Sequence, residues 1–152
     1  MRGQQSLAFL VCLASVAIIV LACAGAVINF SPIPFWDMWD GALGFLERFE
    51  DKPVNALFAQ HNEHRIVLTR LLFLLEYRIM GGNSAFLIFF NYLCVFASCV
   101  LYAICLFVLN RETVPRFQIA IASLVLSAWL FLWTQNNNLT WAFQSQFLLA
   151  QL

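Results

Sequence analysis

Six side chains able to do chemistry fall in two short stretches of the sequence: Asp37 and Asp40 in "FWDMWD", and His61, Glu63, His64 and Arg65 in "QHNEHR". A carboxylate can act as general base toward a hydroxyl or bind a loose divalent cation, while an imidazole and a guanidinium can contact an anionic phosphate. Carboxylates and imidazoles are also feasible metal ligands. Their spacing here matches no standard zinc pattern, which leaves a loose divalent cation at Asp37 and Asp40 as the metal reading. Arg65 has two readings, phosphate contact and ion pairing within its own loop. On a helix, His61, His64 and Arg65 would share one face within about 100°.

The aspartates belong to a wider cluster, since Asp37, Asp40, Glu47, Glu50 and Asp51 supply five of the chain's 8 carboxylates. If residues 36–50 form a helix, Asp37, Asp40 and Glu47 fall on one side at about 100° per residue, and Asp51 joins them one residue further on. Met38, Trp39, Ala42, Leu43, Phe45, Leu46 and Phe49 fill the other side. Such a helix lies in the membrane plane with its rings at headgroup depth. Pro53 is expected to end it, and Pro32 and Pro34 make its entry rigid and extended. Glu47, Glu50 and Asp51 read as the wet face of that helix. Asp37 and Asp40 differ: they sit between Trp36 and Trp39 at the helix start, where a carboxylate also favours the dipole and capping would account for one of them.

The elements that must position these residues follow from composition. The chain has 152 residues, 62% of them hydrophobic and 11% charged, with a mean hydropathy of +0.82. That balance belongs to an integral membrane protein. Net charge is +0, and without a basic block nothing points to nucleic acid. The 5 cysteines lie in apolar runs and read as small hydrophobes.

A span of about 20 apolar residues crosses a bilayer. Segments 7–28, 84–109 and 117–133 meet that requirement, and 141–152 reads as the start of a fourth span. The first run also resembles a signal peptide, but it exceeds the 7 to 15 residues of a signal core and further spans follow, so it reads as a retained helix. Between the first two spans, residues 29–82 form an outward loop. Ile66 to Leu75 there is too short to cross and fits a second interfacial helix, closed by Gly81 and Gly82. The expected fold is therefore all-α: a polytopic helical membrane protein, one domain over 1–152, with three transmembrane helices plus a partial fourth and two amphipathic juxtamembrane helices. Arg2 precedes the first span, Arg111 and Arg116 lie between the second and third, and the positive-inside rule makes those segments cytoplasmic. Residues 29–82 then face outward. None of the three spans carries an Asp, Glu, Lys, Arg or His, which weakens a reading as an ion transporter.

Clustered aspartates just past a first span, two juxtamembrane helices, "QHNEHR" leading into "LLFLLEYRIMGG", and a later "WAFQSQFLLAQL" together resemble the N-terminal part of bacterial polytopic glycosyltransferases of the GT-C type. These are related to the protein mannosyltransferases and the lipid A aminoarabinose transferase. The resemblance implies a bacterial inner-membrane enzyme that takes a sugar from a polyprenyl-phosphate donor on the outer side of the membrane. It implies Asp37 or Asp40 as the base that deprotonates the acceptor hydroxyl. His61, Glu63, His64 and Arg65 would contact the substrate phosphate or a cation. "DMWD" departs from the family in setting two residues between its acids, so both aspartates stand as candidates. Members commonly have seven or more spans, so the chain is expected to be a piece of a longer transferase, inactive alone, or to be completed by a partner subunit. The alternative is a non-catalytic integral membrane subunit or interaction protein that uses the acidic helix as a docking surface.

Overall fold

The computed structural model describes residues 2–151, whose regular elements are all helices, with no strand among them. Helix α1 runs over Arg2–Ile28, α2 over Gly44–Asp51, α3 over Pro53–Phe58 and α4 over Val67–Arg78. Then follow α5 (Ala85–Asn110), α6 (Arg116–Leu130), α7 (Asn136–Thr140) and α8 (Ser145–Gln151). Two of these, α1 and α5, are long and apolar enough to cross a membrane. A third span exists if α6 and the segment Trp133–Thr140, bent by 40° from it, count as one. In the run read as the start of a fourth span, the described residues form a 3-10 turn, Ala142–Gln144, followed by α8. Gln144 and Ser145 there are buried against protein.

The described chain divides into two compact units, one of residues 2–29 and 93–136, the other of 30–92 and 137–151. In the first, α1 packs along α6. Small residues permit the approach. A Cβ on Gly25 would stand 2.3 Å from the Trp133 ring, so the indole seats directly on the α1 backbone. Serine hydroxyls in this apolar unit are satisfied within their own helices: Ser123 donates to the Ile119 carbonyl at 2.9 Å and Ser127 to that of Ser123 at 2.8 Å. Leu7, Phe9, Leu10 and Leu13 are exposed on α1, the pattern of a helix whose outer face meets lipid.

The second unit carries the larger core. Met38, Ala42, Phe45, Ile66, Phe73, Leu87 and Phe143 are buried together. The segment expected to be one helix over 36–50 is two: a wider π-helical run, Met38–Leu43, then α2. That wider turn shifts the helical register, so Met38 is buried while Trp39, expected on the same apolar side, is exposed. Pro53 does stop α2, and it also opens α3 at a position where its missing N–H costs nothing. Helix α4 extends three residues past the expected Leu75 and closes on Gly81 and Gly82, whose φ of 98° and 69° suit glycine alone at low cost.

Two buried polar side chains tie this unit together. The Glu76 carboxylate is 0% exposed and accepts the Ser84 N–H at 3.0 Å and the Leu87 N–H at 3.3 Å. Those are orphan donors of the first turn of α5, so a residue of α4 caps α5 from outside. Asn91, also buried, donates from Nδ2 to the Trp141 carbonyl at 3.0 Å. These bonds fix the start of α5 and the 141–144 turn before any ligand is considered.

Candidate functional site

The polypeptide enters the site through Trp36, which has a φ of 50°. For a bulky residue that conformation is a genuine outlier. The π-helical run follows, held by the Gly41 N–H on the Asp37 carbonyl at 2.7 Å. Gly41 is required here by space: a Cβ would lie 2.4 Å from Cε2 of Phe143 and 3.0 Å from Cε1 of His61. Asp37 is half-buried at the start of this run. Asp40 faces elsewhere, with its side chain 80% exposed and its Oδ1 3.6 Å from an Arg48 guanidinium nitrogen. An exposed pair at that distance adds little stability.

His61, His64 and Arg65 do not share a helical face. The segment is a tight turn in which the His61 N–H meets the His64 carbonyl at 2.8 Å and the His64 N–H meets the His61 carbonyl at 3.0 Å. Asn62 takes a φ of 51° to make the reversal, a conformation asparagine tolerates better than other side chains. Downstream of the turn, Arg70 of α4 reaches back. It is 1% exposed, donates to the Leu57 carbonyl at 3.0 Å and to the Ala59 carbonyl, and lies 5.3 Å over the Phe45 ring. Those carbonyls end α3, where a cation is favoured by the helix dipole. Burial lowers the Arg70 pKa from its ordinary value, and the nearby Arg48 charge lowers it further.

The result is a cavity of about 440 Å³ that brings Asp37, His61, Glu63 and His64 together with Trp36, Asn62, Trp141, Phe143 and Gln144. A second cavity of about 400 Å³ lies beside it, lined by His64, Arg65, Leu68, Phe147 and Leu149. His64, Gln146 and Phe147 belong to both linings. Five of the six sequence candidates therefore line two adjoining cavities, and Asp40 lines neither. His61 is 9% exposed, its ring is tilted against Phe143 at 5.2 Å, and its Nε2 has no hydrogen-bond partner in the protein. Among the described residues, no carboxylate stands within ion-pairing distance of Arg65.

Asp37 lines the cavity and Asp40 pairs with Arg48, and among the described residues no three His, Cys, Asp or Glu side chains converge to hold a metal.

Sequence reasoning missed Trp141, Phe143, Gln144 and Gln146, because their segment read as membrane-spanning. The signal was present in "QSQ": three polar residues inside an otherwise apolar run argue for a protein-lined cavity over lipid. Arg70 and Glu76 carried a similar signal as charges within the apolar "VLTRLLFLLEYR". No protein-family model matches the chain, and neither a curated protein nor a solved structure is significantly similar to it.

Proposed function

We propose that the second unit takes part in transfer of a sugar from a polyprenyl-phosphate donor to an acceptor hydroxyl, with residues 29–82 on the outer side of the membrane and the N-terminus cytoplasmic. The observation that carries this reading is the pair of adjoining cavities: acids and imidazoles line one, an apolar wall with Arg65 at its edge lines the other, and His64 is common to both. A lipid phosphate has the same polarity, an anionic head on an apolar chain.

In this reading Asp37 is the base. It is half-buried in the polar cavity, whereas Asp40 is exposed and paired with Arg48. The acceptor oxygen attacks the anomeric carbon as its proton passes to Asp37, and the bond from that carbon to the phosphate oxygen breaks. Arg65 and His64 meet the negative charge that the departing phosphate keeps. Glu63, exposed on the turn between the histidines, orients His64 or a sugar hydroxyl. Lipid forms the remaining wall, or further helices do, supplied by a longer chain or a partner subunit.

The test is transfer from a radiolabelled polyprenyl-phosphate sugar in membranes containing the native protein. General-base loss costs about 10²- to 10⁴-fold, so Asp37→Asn should fall by that order and Asp40→Asn should stay within a few-fold of the parent. Undiminished transfer by Asp37→Asn would remove Asp37 from the role. Should the Asp40 variant alone lose transfer, the roles of the two acids are reversed.

A further inference from the structure

We infer that Trp36 and Trp141 form a platform for a pyranose ring, with the sugar's hydroxyls directed into the cavity lined by Asp37, Asn62, Glu63 and Gln144. This deepens the transfer reading and rests on it for its place in a reaction, although ring binding does not itself require transfer.

The two indoles are stacked, with centroids 6.0 Å apart and planes inclined by 16°. Beneath them the stack continues inward. Trp141 lies 5.7 Å from Phe143 at 30°, and Phe143 lies 5.6 Å from the buried Phe73 at 26°. Trp141 is also held at both of its polar ends, its Nε1 donating to the Phe35 carbonyl at 3.3 Å and its own carbonyl accepting from Asn91 at 3.0 Å. The outer ring thus rests on a support fixed to the core, and little order remains to be imposed when a ligand arrives.

Trp36 itself is 70% exposed, yet it is oriented by this stack and carries a strained φ of 50°. Strain of that kind persists only where the surroundings over-determine it, and it gathers at ligand sites. A tryptophan serving only as a membrane-interface anchor needs neither a left-handed backbone nor a polar cavity at its edge.

A pyranose has an apolar face of axial C–H bonds and a rim of hydroxyls, each both donor and acceptor. An electron-rich aromatic face complements the former. The cavity supplies the latter, since carboxylates accept, the amides of Asn62 and Gln144 do both, and a neutral imidazole offers one of each. His61 gives the independent sign of a missing partner: its Nε2 is buried and unbonded within the protein. A buried polar atom left so is costly, and a ligand hydroxyl at the cavity wall would satisfy it.

Saturation-transfer NMR on the full chain in lipid nanodiscs tests this, with a panel of methyl pyranosides (hexose, pentose and aminopentose) and with a citronellyl-phosphate-linked pyranose as probes. Saturable binding is expected, with the strongest transfer to the C–H protons of one ring face. Trp36→Gly relieves the strained backbone and so should fold as well as the parent while weakening binding at least tenfold. Trp133→Phe, in the first unit and outside the stack, should leave binding unchanged. Binding of the simple glycosides would identify the acceptor sugar, and binding of the lipid-linked probe alone the donor sugar. Absence of saturable binding by every probe, or unchanged binding in a folded Trp36→Gly, would overturn the platform. Transfer is read separately: a parent protein that binds the ring but forms no glycosidic product would sink the transfer reading and leave the platform standing.

Discussion

Replacing Glu76 by glutamine should destabilise this protein more than any other single exchange of a carboxylate for an amide. Both carboxylate oxygens accept backbone N–H groups, from Ser84 at 3.0 Å and Leu87 at 3.3 Å, and the side chain is wholly buried. Two accepting oxygens are the pattern of an ionised carboxylate. A hydrogen bond to a charged group contributes about 1.5–3 kcal/mol, and a charge facing a helix N-terminus adds about 0.3–1 kcal/mol. Glutamine keeps one acceptor and turns an NH₂ toward the second N–H, so one bond is lost and two donors face each other. The expected cost is about 2–4 kcal/mol, a large share of a typical stability of about 5–15 kcal/mol.

Thermal unfolding followed by tryptophan fluorescence in mild detergent should show a Tm lower by roughly 4–16 °C, at about 2–4 °C per kcal/mol for a chain of this size. Amide exchange resolves where the loss falls: protection at Ser84 to Leu87 should drop first, because the cap serves the first turn of α5. Glu63→Gln, on an exposed turn, is the control and should change stability by no more than about 0.5 kcal/mol. If Glu76→Gln matched the parent in both Tm and exchange, the external cap would contribute nothing and the account of how α4 fixes α5 would be wrong.

Three further outcomes follow from the same geometry. Gly41→Ala places a Cβ 2.4 Å from the buried Phe143 ring; the overpacking should cost about 1–3 kcal/mol in thermal unfolding, and a variant of parental stability would show that the ring can move aside. Arg70→Lys keeps a charge but loses the longer, planar guanidinium, whose Nη1 alone serves both the Leu57 and Ala59 carbonyls and whose carbon lies over the Phe45 ring, so it should lose about 1–3 kcal/mol and broaden the NMR signals of the histidine turn, while unaltered His61 resonances would disconnect Arg70 from it. The Tyr77 hydroxyl is pushed above its usual value of 10.0, first by burial and then by Glu76 beside it. Because the folded state holds that proton more tightly, the stabilisation is complete below pH 10 and is lost as pH rises through the folded value; Tyr77→Phe should flatten that alkaline decline in a pH series of unfolding midpoints.

The apolar spans were legible because continuous hydrophobicity needs no tertiary information: segments 7–28 and 84–109 sit within α1 and close to α5. The clustered acids and the histidine motif were equally visible as residue types. Which of them converge was not. Asp37 and Asp40 are three residues apart and share a face on an ideal α-helix, but a π-helical run separates their fates, and nothing in "FWDMWD" announces that wider turn. The helical placement of His61, His64 and Arg65 failed for a related reason. Asn62 permits a left-handed reversal that helix periodicity ignores. The aromatic and amide wall from Trp141 to Gln146 lay hidden in a stretch whose hydropathy resembles a span, because a residue buried in protein and one buried in lipid have the same composition.

The backbone outliers bear on how the cavity keeps its shape. Among the described residues, the non-glycine positions of positive φ are Trp36, Asn62 and Ser84, all in the second unit. Each conformation costs on the order of 1–3 kcal/mol, less for asparagine, and must be held by its neighbours. Ser84 is held by Glu76, which takes its N–H. Asn62 is held between the paired backbones of His61 and His64, on a segment that Arg70 fixes three residues upstream at Ala59. Trp36 is held by its stack on Trp141, which Asn91 anchors from α5. Two of the three strained residues line the cavity, and the buried polar side chains missed in the sequence are the ones that clamp them. A mobile loop would relax such strain on its own. A cavity that retains it is already arranged for its ligand, so loosening Arg70 or Asn91 should weaken binding at Trp36 and His61 by more than the loss of overall stability alone would explain.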